Sequence, residues 1–246
     1  MTKNTDFCKT WCTNKEFEIP DRNNITKENL VLGTESNRTL YFSIVGNNPK
    51  SPSIALVGLC PGATQLNRFI ESYKDGMNIP QAASQSGFRK LGKNLSMLLN
   101  AIDINNVIEE NITPEYDFNN SPHFLVTSLV KCAFLGNETN PSQRFDPTRF
   151  EFAKRCITNR FVSDILNPAY NNLKIVIILG KDGWNAVNSI KIGDVTVATY
   201  MEYRGKTFIE LPHPSGANNG RIKKFISDSD DTLRCIAKNK IKELYS

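Results

Sequence analysis

The sequence predicts a single three-layer α/β/α domain built around a central, mostly parallel β-sheet. Three apolar runs, at residues 53–60, 123–130 and 174–180, are continuous rather than alternating, as expected of strands that are buried on both faces. Segments with helical periodicity lie between these runs, which is the pattern of βαβ units. No repeat or long Gly/Ser linker divides the chain, so we expect residues 1–246 to form one domain, with residues 1–30 as an N-terminal segment that carries two cysteines.

The remaining elements are predicted from local patterns. β-branched and aromatic residues predict a strand at residues 39–45 and a hairpin of residues 195–203 with residues 207–211. Four helices are predicted from apolar residues three to four positions apart. The second of them has Asp146 as its expected N-cap and Pro147 at its first helical position. The predicted helices cover residues 86–102, 147–165, 182–190 and 229–244.

Composition excludes several classes of protein. The chain is 39% hydrophobic and 22% charged, which is typical of a soluble globular protein and argues against general disorder. Its apolar runs are far shorter than the roughly 20 residues of a membrane helix. The N-terminus lacks the apolar region of a signal peptide, so we expect a cytoplasmic protein. We also expect a monomer with no membrane partner. The net charge of +5 permits a nucleic-acid partner without requiring one.

Distinctive segments follow the predicted strands, at the sheet edge where α/β folds bind ligands. A turn with two glycines and a proline exposes backbone N–H groups to a ligand, although a plain tight turn is the commoner explanation. A histidine followed by proline at the end of a strand is held rigidly and can donate a hydrogen bond, although an ordinary surface or core histidine is the alternative. Amide side chains near basic residues suit contacts with phosphates. The segments are Gly58-Leu-Cys-Pro-Gly62, Thr127-Ser-Leu-Val-Lys-Cys132 and His213-Pro-Ser-Gly-Ala-Asn218-Asn-Gly-Arg221.

The cysteines and histidines limit the chemistry of a site. The chain has six cysteines, and in a reducing compartment these are buried thiols, metal ligands or a nucleophile rather than a disulfide framework. We interpret Cys60 and Cys235 as small buried hydrophobic residues. His123 lies before a predicted strand, far from the expected site, and is assigned no role. A mechanism that needs an imidazole therefore relies on His213.

Taken in order, the three segments resemble the motifs of the uracil-DNA glycosylase superfamily. The similarity is greatest to its iron–sulfur branches, in particular the branch with leucine after the opening glycine of the first motif. The resemblance implies a uracil-DNA glycosylase-like fold and a base-excision repair enzyme. Such an enzyme flips uracil or another deaminated base out of DNA and hydrolyses its N-glycosidic bond, without a catalytic metal. The implied partner is DNA that contains a damaged base.

The resemblance also implies roles for individual residues. His213 would donate to the base oxygen on which negative charge develops, and Asn67 would orient the attacking water. The residues implied to bind the base are Gly58, Leu59, Cys60, Pro61, Gly62, Gln65 and Ser128. Those implied to grip DNA phosphates are Pro214, Ser215, Gly216, Asn218 and Arg221.

Several positions depart from the family pattern. Leu59 stands where many members carry Asp, Glu or Asn, and Ser84 stands where the leucine-type branch has a carboxylate. Ser128 replaces the asparagine that reads the base edge, and it offers one hydroxyl instead of an amide. No aromatic residue occupies the expected stacking position near Gln81; Phe69 and Phe88 are substitutes only if they are not core residues.

These departures leave two other readings open. One is a protein of the same fold that binds DNA or a damaged base but has lost hydrolysis. The other is an unrelated α/β hydrolase in which His213 serves a nucleophile such as Cys60, which requires an exposed thiol of low pKa.

In the iron–sulfur branches, four cysteines hold a [4Fe–4S] cluster. Cys8, Cys12, Cys132 and Cys156 occur in the same order, so the resemblance implies a structural [4Fe–4S] cluster here. The alternative is that Cys156 is a core thiol and that Cys8 and Cys12 belong to a loose tail.

Overall fold

The computed structural model describes residues 19–88, 91–136 and 145–245. Its strands, in chain order, are β1 Val31–Glu35, β2 Arg38–Tyr41, β3 Ile54–Gly58, β4 Phe124–Ser128, β5 Ala133–Gly136, β6 Ile175–Leu179, β7 Lys191–Ile192, β8 Val195–Thr196 and β9 Thr207–Leu211. Its α-helices are α1 Ala63–Lys74, α2 Ile79–Gln85, α3 Gly92–Asn100, α4 Ile104–Ile108, α5 Glu151–Arg155, α6 Val162–Ile165, α7 Lys181–Ser189, α8 Val197–Glu202, α9 Asn219–Ser227 and α10 Thr232–Tyr245.

The central sheet has four parallel strands in the order β4-β3-β6-β9. Every residue of β3, β4 and β6 is buried, because helices cover both faces of the sheet. Ala55 and Val57 pack against a cluster that includes α1, α2, α7 and α8. Ile54 and Leu56 face the opposite cluster, which includes α3, α4, α9 and α10. The three-layer α/β/α fold class is therefore confirmed. Each fully buried Val, Leu or Ile side chain of these strands contributes about 1.5–3 kcal/mol to stability.

A small antiparallel sheet, β1-β2-β5, adjoins the first of these clusters. Its β1–β2 turn has Ser36 and Asn37 at positive φ angles of 51° and 61°, the conformation of a tight hairpin turn. The strand predicted at residues 39–45 corresponds to β2, which is shorter. Since β5 begins five residues after β4 ends, this sheet fixes the segment that leaves the carboxyl end of β4.

The predicted hairpin of residues 195–203 with 207–211 is wrong. β8 pairs instead with β7, and the chain then enters α8, whose N-cap Thr196 accepts a hydrogen bond from the Thr199 N–H at 3.2 Å. β9 joins the central sheet in parallel beside β6. The cap starts a helix in spite of the β-branched and aromatic residues that follow it, so local propensity is overridden.

The predicted helices are found with shifted ends. The first has α3 at its centre, while residues 89 and 90 lie outside the described part. Asp146 caps a 3₁₀ turn, Pro147–Arg149, rather than the helix itself. The helix begins at Glu151 and runs to Ile165 through a π-helical turn, Cys156–Phe161. None of the described helices is both long enough and apolar enough to span a bilayer. Cys235, expected to be buried, is exposed on α10.

Candidate active site

The carboxyl ends of the parallel strands bring the three sequence motifs together. Gly58 and Ser128 are paired at the ends of β3 and β4. The pairing continues beyond both strands, because Leu129 donates to the Gly58 carbonyl at 2.9 Å and the Val130 N–H donates to that of Leu59 at 3.0 Å. At the ends of the neighbouring strands β6 and β9, the Gly180 N–H donates to the Leu211 carbonyl at 2.8 Å. The edge on which the motifs lie is thus held together by backbone hydrogen bonds.

An open cleft of about 780 Å³ lies at this edge. It is formed by the ends of β3, β6 and β9 together with the first turn of α7 and part of α9. This volume is within the range of ligand-binding clefts. Residues that line it include Leu59, Cys60, Gly180, Glu210, His213 and Arg221.

His213 is held in one protonation state and one orientation. Its Nδ1 accepts a hydrogen bond from the Ser215 N–H at 3.2 Å, so the proton of the neutral imidazole lies on Nε2. Burial lowers the pKa of His213, which favours the neutral ring at physiological pH. His213 therefore offers a neutral N–H donor at Nε2, with its orientation set by the backbone two residues further along.

Gly180 makes room for the histidine. Its φ is +99°, a conformation that side chains rarely adopt, and a Cβ at this position would lie 3.1 Å from the Cβ of His213. Gly180 also immediately precedes α7. A side chain here would strain the backbone and displace the imidazole.

The loop after His213 is tied down by amide side chains. Asn218 donates from Nδ2 to the His213 carbonyl at 3.2 Å. Asn94 on α3 donates from Nδ2 to the Pro214 carbonyl at 2.9 Å and lies 3.3 Å from Oδ1 of Asn219. Sequence reasoning missed Asn94, whose only local signal is a polar side chain in the first turn of an apolar helix. Pro214 is buried, whereas Ser215 is partly buried and Gly216 is exposed.

Arg221 begins the basic part of α9 and is paired with an acid. Its guanidinium forms two hydrogen bonds with Asp231, one of them Nη2 to Oδ1 at 3.2 Å. The pKa of Asp231 is lowered by this contact. The Arg221 side chain is still 40% exposed and lines the cleft.

In the first motif, Asn67, predicted to orient water, and Gln65, predicted to bind the base, do not line the cleft. Gln65 accepts the Gly62 N–H through Oε1 at 2.9 Å and so caps α1. Asn67 is exposed on α1. Pro61 is buried, so Leu59 and Cys60 are the members of this motif that line the cleft.

The second motif and the aromatic candidates lie next to Gly58. Ser128 is buried, and its hydroxyl donates to the Val130 carbonyl at 2.9 Å. The ring of Phe88 lies 3.4 Å from where a Cβ on Gly58 would be, at the carboxyl end of β3, but Phe88 is also a buried member of the core and so does not meet the condition for a stacking residue. Phe69 is fully buried in the core.

Cys60 does not have the properties of a nucleophile. Burial raises the pKa of its thiol to about 11, so almost no thiolate forms at neutral pH. A cysteine nucleophile requires the opposite shift. This observation argues against the unrelated hydrolase in which His213 serves Cys60.

Two of the four predicted cluster ligands lie close together. Cys132 and Cys156 are both buried, and the Lys131 N–H donates to the Cys156 sulfur at 3.4 Å. Cys156 thus lies beside the peptide that precedes Cys132. Cys8 and Cys12 are outside the described residues. In residues 19–88, 91–136 and 145–245, no three His, Cys, Asp or Glu side chains are grouped to hold a metal ion.

The chain matches the model of a known protein family. The family model described as the uracil DNA glycosylase superfamily matches residues 45–236, which include all three motifs and the four strands of the central sheet. A comparison with curated proteins finds no significant match.

Proposed function

Because the chain belongs to the uracil DNA glycosylase superfamily, we propose that it is a DNA glycosylase that excises uracil or another deaminated base. The observation that carries this proposal is the fixed, neutral His213 in the cleft at the carboxyl edge of the sheet. A base must leave the DNA stack before it can reach such a cleft, so the substrate is a flipped nucleotide. A volume of about 780 Å³ is large enough for one.

The proposed reaction breaks the bond between the sugar C1′ and the base nitrogen. The electron pair of this bond moves to the base, whose carbonyl oxygen gains negative charge. The Nε2–H of His213 donates a hydrogen bond to that oxygen, and because its orientation is set by Ser215 it needs no rearrangement during the reaction. Donors aimed at developing charge in this way typically contribute about 10²–10³ in rate. Water then adds to C1′ and gives the free base and an abasic sugar.

Contacts to DNA phosphates are proposed for the loop after His213. Ser215 and the exposed Gly216 lie at the start of this loop, and Asn218 and Arg221 lie beside the cleft. Asn94 and Asn218 order the loop, which reduces the entropy lost on binding. We propose that Ser215, Gly216 and Arg221 contact the phosphates that flank the flipped nucleotide.

The test is single-turnover release of base from oligonucleotides that contain uracil, hypoxanthine or xanthine. We expect anaerobically purified wild type to release at least one of these bases, and His213→Ala to be slower by about 10²–10³-fold with unchanged DNA affinity. Release that is equally fast in His213→Ala would exclude the proposed role of the imidazole. No release of any base by wild type would exclude the glycosylase.

A second candidate function is a protein of the same fold that binds damaged DNA without cleaving it. Two observations favour it: Leu59, which cannot accept a proton, lines the cleft, and the Ser128 hydroxyl is engaged by Val130. In that case wild type binds the same oligonucleotides in a salt-dependent manner and releases no base.

We also propose that Cys8, Cys12, Cys132 and Cys156 hold a [4Fe–4S] cluster. The buried pair formed by Cys132 and Cys156 supports this, since thiolates are the usual ligands of such clusters and N–H groups directed at sulfur tune them. The cluster would be structural and would fix the N-terminal segment against the end of β4.

Iron and sulfide analysis of anaerobically purified protein tests the cluster. We expect about four iron atoms per chain in wild type and loss of most of them in Cys156→Ser. Cys235→Ser is the matched control, because Cys235 is exposed on α10 and outside the proposed ligand set. Equal iron contents in the two variants, or no iron in wild type, would contradict the proposal.

A further inference from the structure

The cleft that holds His213 contains a second ionisable group, Glu210. It is the only charged residue of β9, in which its neighbours Ile209 and Leu211 are buried. Since side chains alternate along a strand, Glu210 extends to the opposite face of the sheet from those two. Within the described part of the chain, its carboxylate has no hydrogen bond or ion pair. A partly buried acid thus lines the cleft without being hydrogen-bonded or ion-paired to another described residue.

The burial of Glu210, rather than the charges around it, favours a proton acceptor. Burial raises the pKa of this carboxyl, and the cations Lys181 and Arg221 oppose the shift without cancelling it. Arg221 already has a carboxylate partner in Asp231. A carboxylate that is desolvated in this way holds a proton more readily than an exposed one, which is a common property of catalytic bases.

Asp182 is the other acid in the cleft, and its position gives it a structural role. It lies in the first turn of α7, where a negative charge interacts favourably with the helix dipole. It also interacts with another residue of the chain. Glu210 is therefore the better candidate to act on a ligand.

We propose that Glu210 accepts a proton from the water that attacks the sugar in base excision. The inference rests on the proposed glycosylase function and adds the group that activates water. Of the first-motif residues in the cleft, Leu59 has no acceptor and Cys60 has a thiol that stays protonated. The cleft thus combines a donor for the departing base, His213, with an acceptor for water, Glu210.

The step is balanced within the site. The bond between C1′ and the base nitrogen breaks, and its electron pair goes to the base, which the His213 Nε2–H stabilises. The water oxygen forms a bond to C1′, and one water proton moves to the Glu210 carboxylate. This proton then passes to the released base, so the overall reaction consumes one water and gives free base and an abasic sugar. The negative charge of Glu210 also stabilises the positive charge that develops on the sugar.

The test uses Glu210→Gln, which keeps the shape of the side chain and removes its basicity. We expect single-turnover base release to fall by about 10²-fold, within the range of general acid–base catalysis, and Glu210→Asp to recover part of the loss. Affinity for an oligonucleotide with an abasic site should change by less than about threefold. Glu202→Gln is the control for the loss of one negative charge. Glu202 is on α8, with its Oε1 3.9 Å from Nζ of Lys240, and this variant should release base at the wild-type rate.

The pH profile separates a catalytic role from a structural one. The wild-type rate should rise with pH as Glu210 loses its proton and then level off. Glu210→Gln should lack this limb, whereas His213→Ala should keep it at a lower rate. The other ionisable groups that line the cleft are Cys60, Lys181, Asp182, His213 and Arg221, of which Lys181 and Arg221 act on Glu210 electrostatically.

Each outcome decides between the two proposals. Active wild type with an equally active Glu210→Gln, or a slow Glu210→Gln that keeps the acid limb, overturns the role of Glu210 and leaves the glycosylase standing. Wild type that binds DNA and releases no base overturns both. If Glu210→Gln melts at a much lower temperature than wild type, the comparison is made with Glu210→Asp, which must also lose rate without losing DNA affinity.

Discussion

The two halves of the carboxyl edge use their polar side chains differently. At the end of β9, neighbours fix His213 through Nδ1 and its carbonyl, and leave Nε2 to act on a ligand. At the ends of β3 and β4, the polar side chains serve the fold, since Gln65 caps α1 and Ser128 binds the Val130 carbonyl. We infer that the β9 half supports the departing base through side chains. The β3–β4 half offers mainly backbone and shape.

The largest expected effect comes from the contact that supports His213. Gly180→Ala adds a Cβ 3.1 Å from that of His213, and Ala is strained at a φ of +99°. Displacement of a catalytic group by about 1 Å can cost about 10²-fold in rate. We expect Gly180→Ala to slow base release by about this factor in single-turnover assays.

Gly193→Ala is the control for backbone strain. Gly193 also has a positive φ, +60°, but a Cβ there would meet no atom within 4 Å. Gly193→Ala should lose about 1–2 kcal/mol of unfolding free energy in denaturant titrations, because left-handed backbone costs a side chain about that much. Gly180→Ala should lose at least as much, since a φ of 99° with a ψ of 149° is a conformation essentially restricted to glycine. Equal rates in the two variants would mean that the site tolerates a displaced imidazole.

A smaller effect is expected from the amide that anchors the loop. Asn94→Ala removes the hydrogen bond to the Pro214 carbonyl, one residue after His213, together with a longer, exposed one to Oδ1 of Asn219. The loop keeps its other hydrogen bonds, so we expect base release to slow by about fivefold, equivalent to the roughly 1 kcal/mol of one hydrogen bond. Rates measured with saturating enzyme separate this effect from weaker DNA binding.

Asn100→Ala is matched to this change. Asn100 is on the same helix, and its Nδ2 donates to the Ile112 carbonyl at 2.9 Å, the same kind of bond of the same length. Both variants should lose about 1 kcal/mol of stability, but only Asn94→Ala should lose rate. A slow Asn100→Ala would attribute the effect to α3 as a whole.

Much of this architecture follows from local sequence. The buried strands β3, β4 and β6 coincide with continuous apolar runs, because a strand covered on both faces must be apolar throughout. Strands of this kind, alternating with helices, predict a parallel sheet. The motifs that follow them could therefore be assigned to one edge, because parallel strands all end at the same edge of a sheet. β9 was the exception: with Glu210 in it, the segment does not form a continuous apolar run, and its parallel pairing with β6 is not visible in local sequence.

The site was less predictable, because its supports are distant in sequence. Asn94 and Pro214 are 120 positions apart, and nothing near either residue indicates the contact. Glu210 could have been noticed as the single charge in an apolar strand, but only the fold brings it to the cleft. The use of Gln65 as a helix cap also depended on α1, which the sequence did not predict.

The smallest effect is expected at Ser128, the position where a base-reading asparagine was expected. Ser128→Ala leaves the Val130 carbonyl without its donor, so the unfolding free energy should fall by about 1 kcal/mol. Because the hydroxyl is already used inside the protein, we expect base release to change by less than about threefold and the order of preference among uracil, hypoxanthine and xanthine to stay the same. A changed preference would mean that Ser128 reads the base, and the β3–β4 half would then act through a side chain, as the β9 half does.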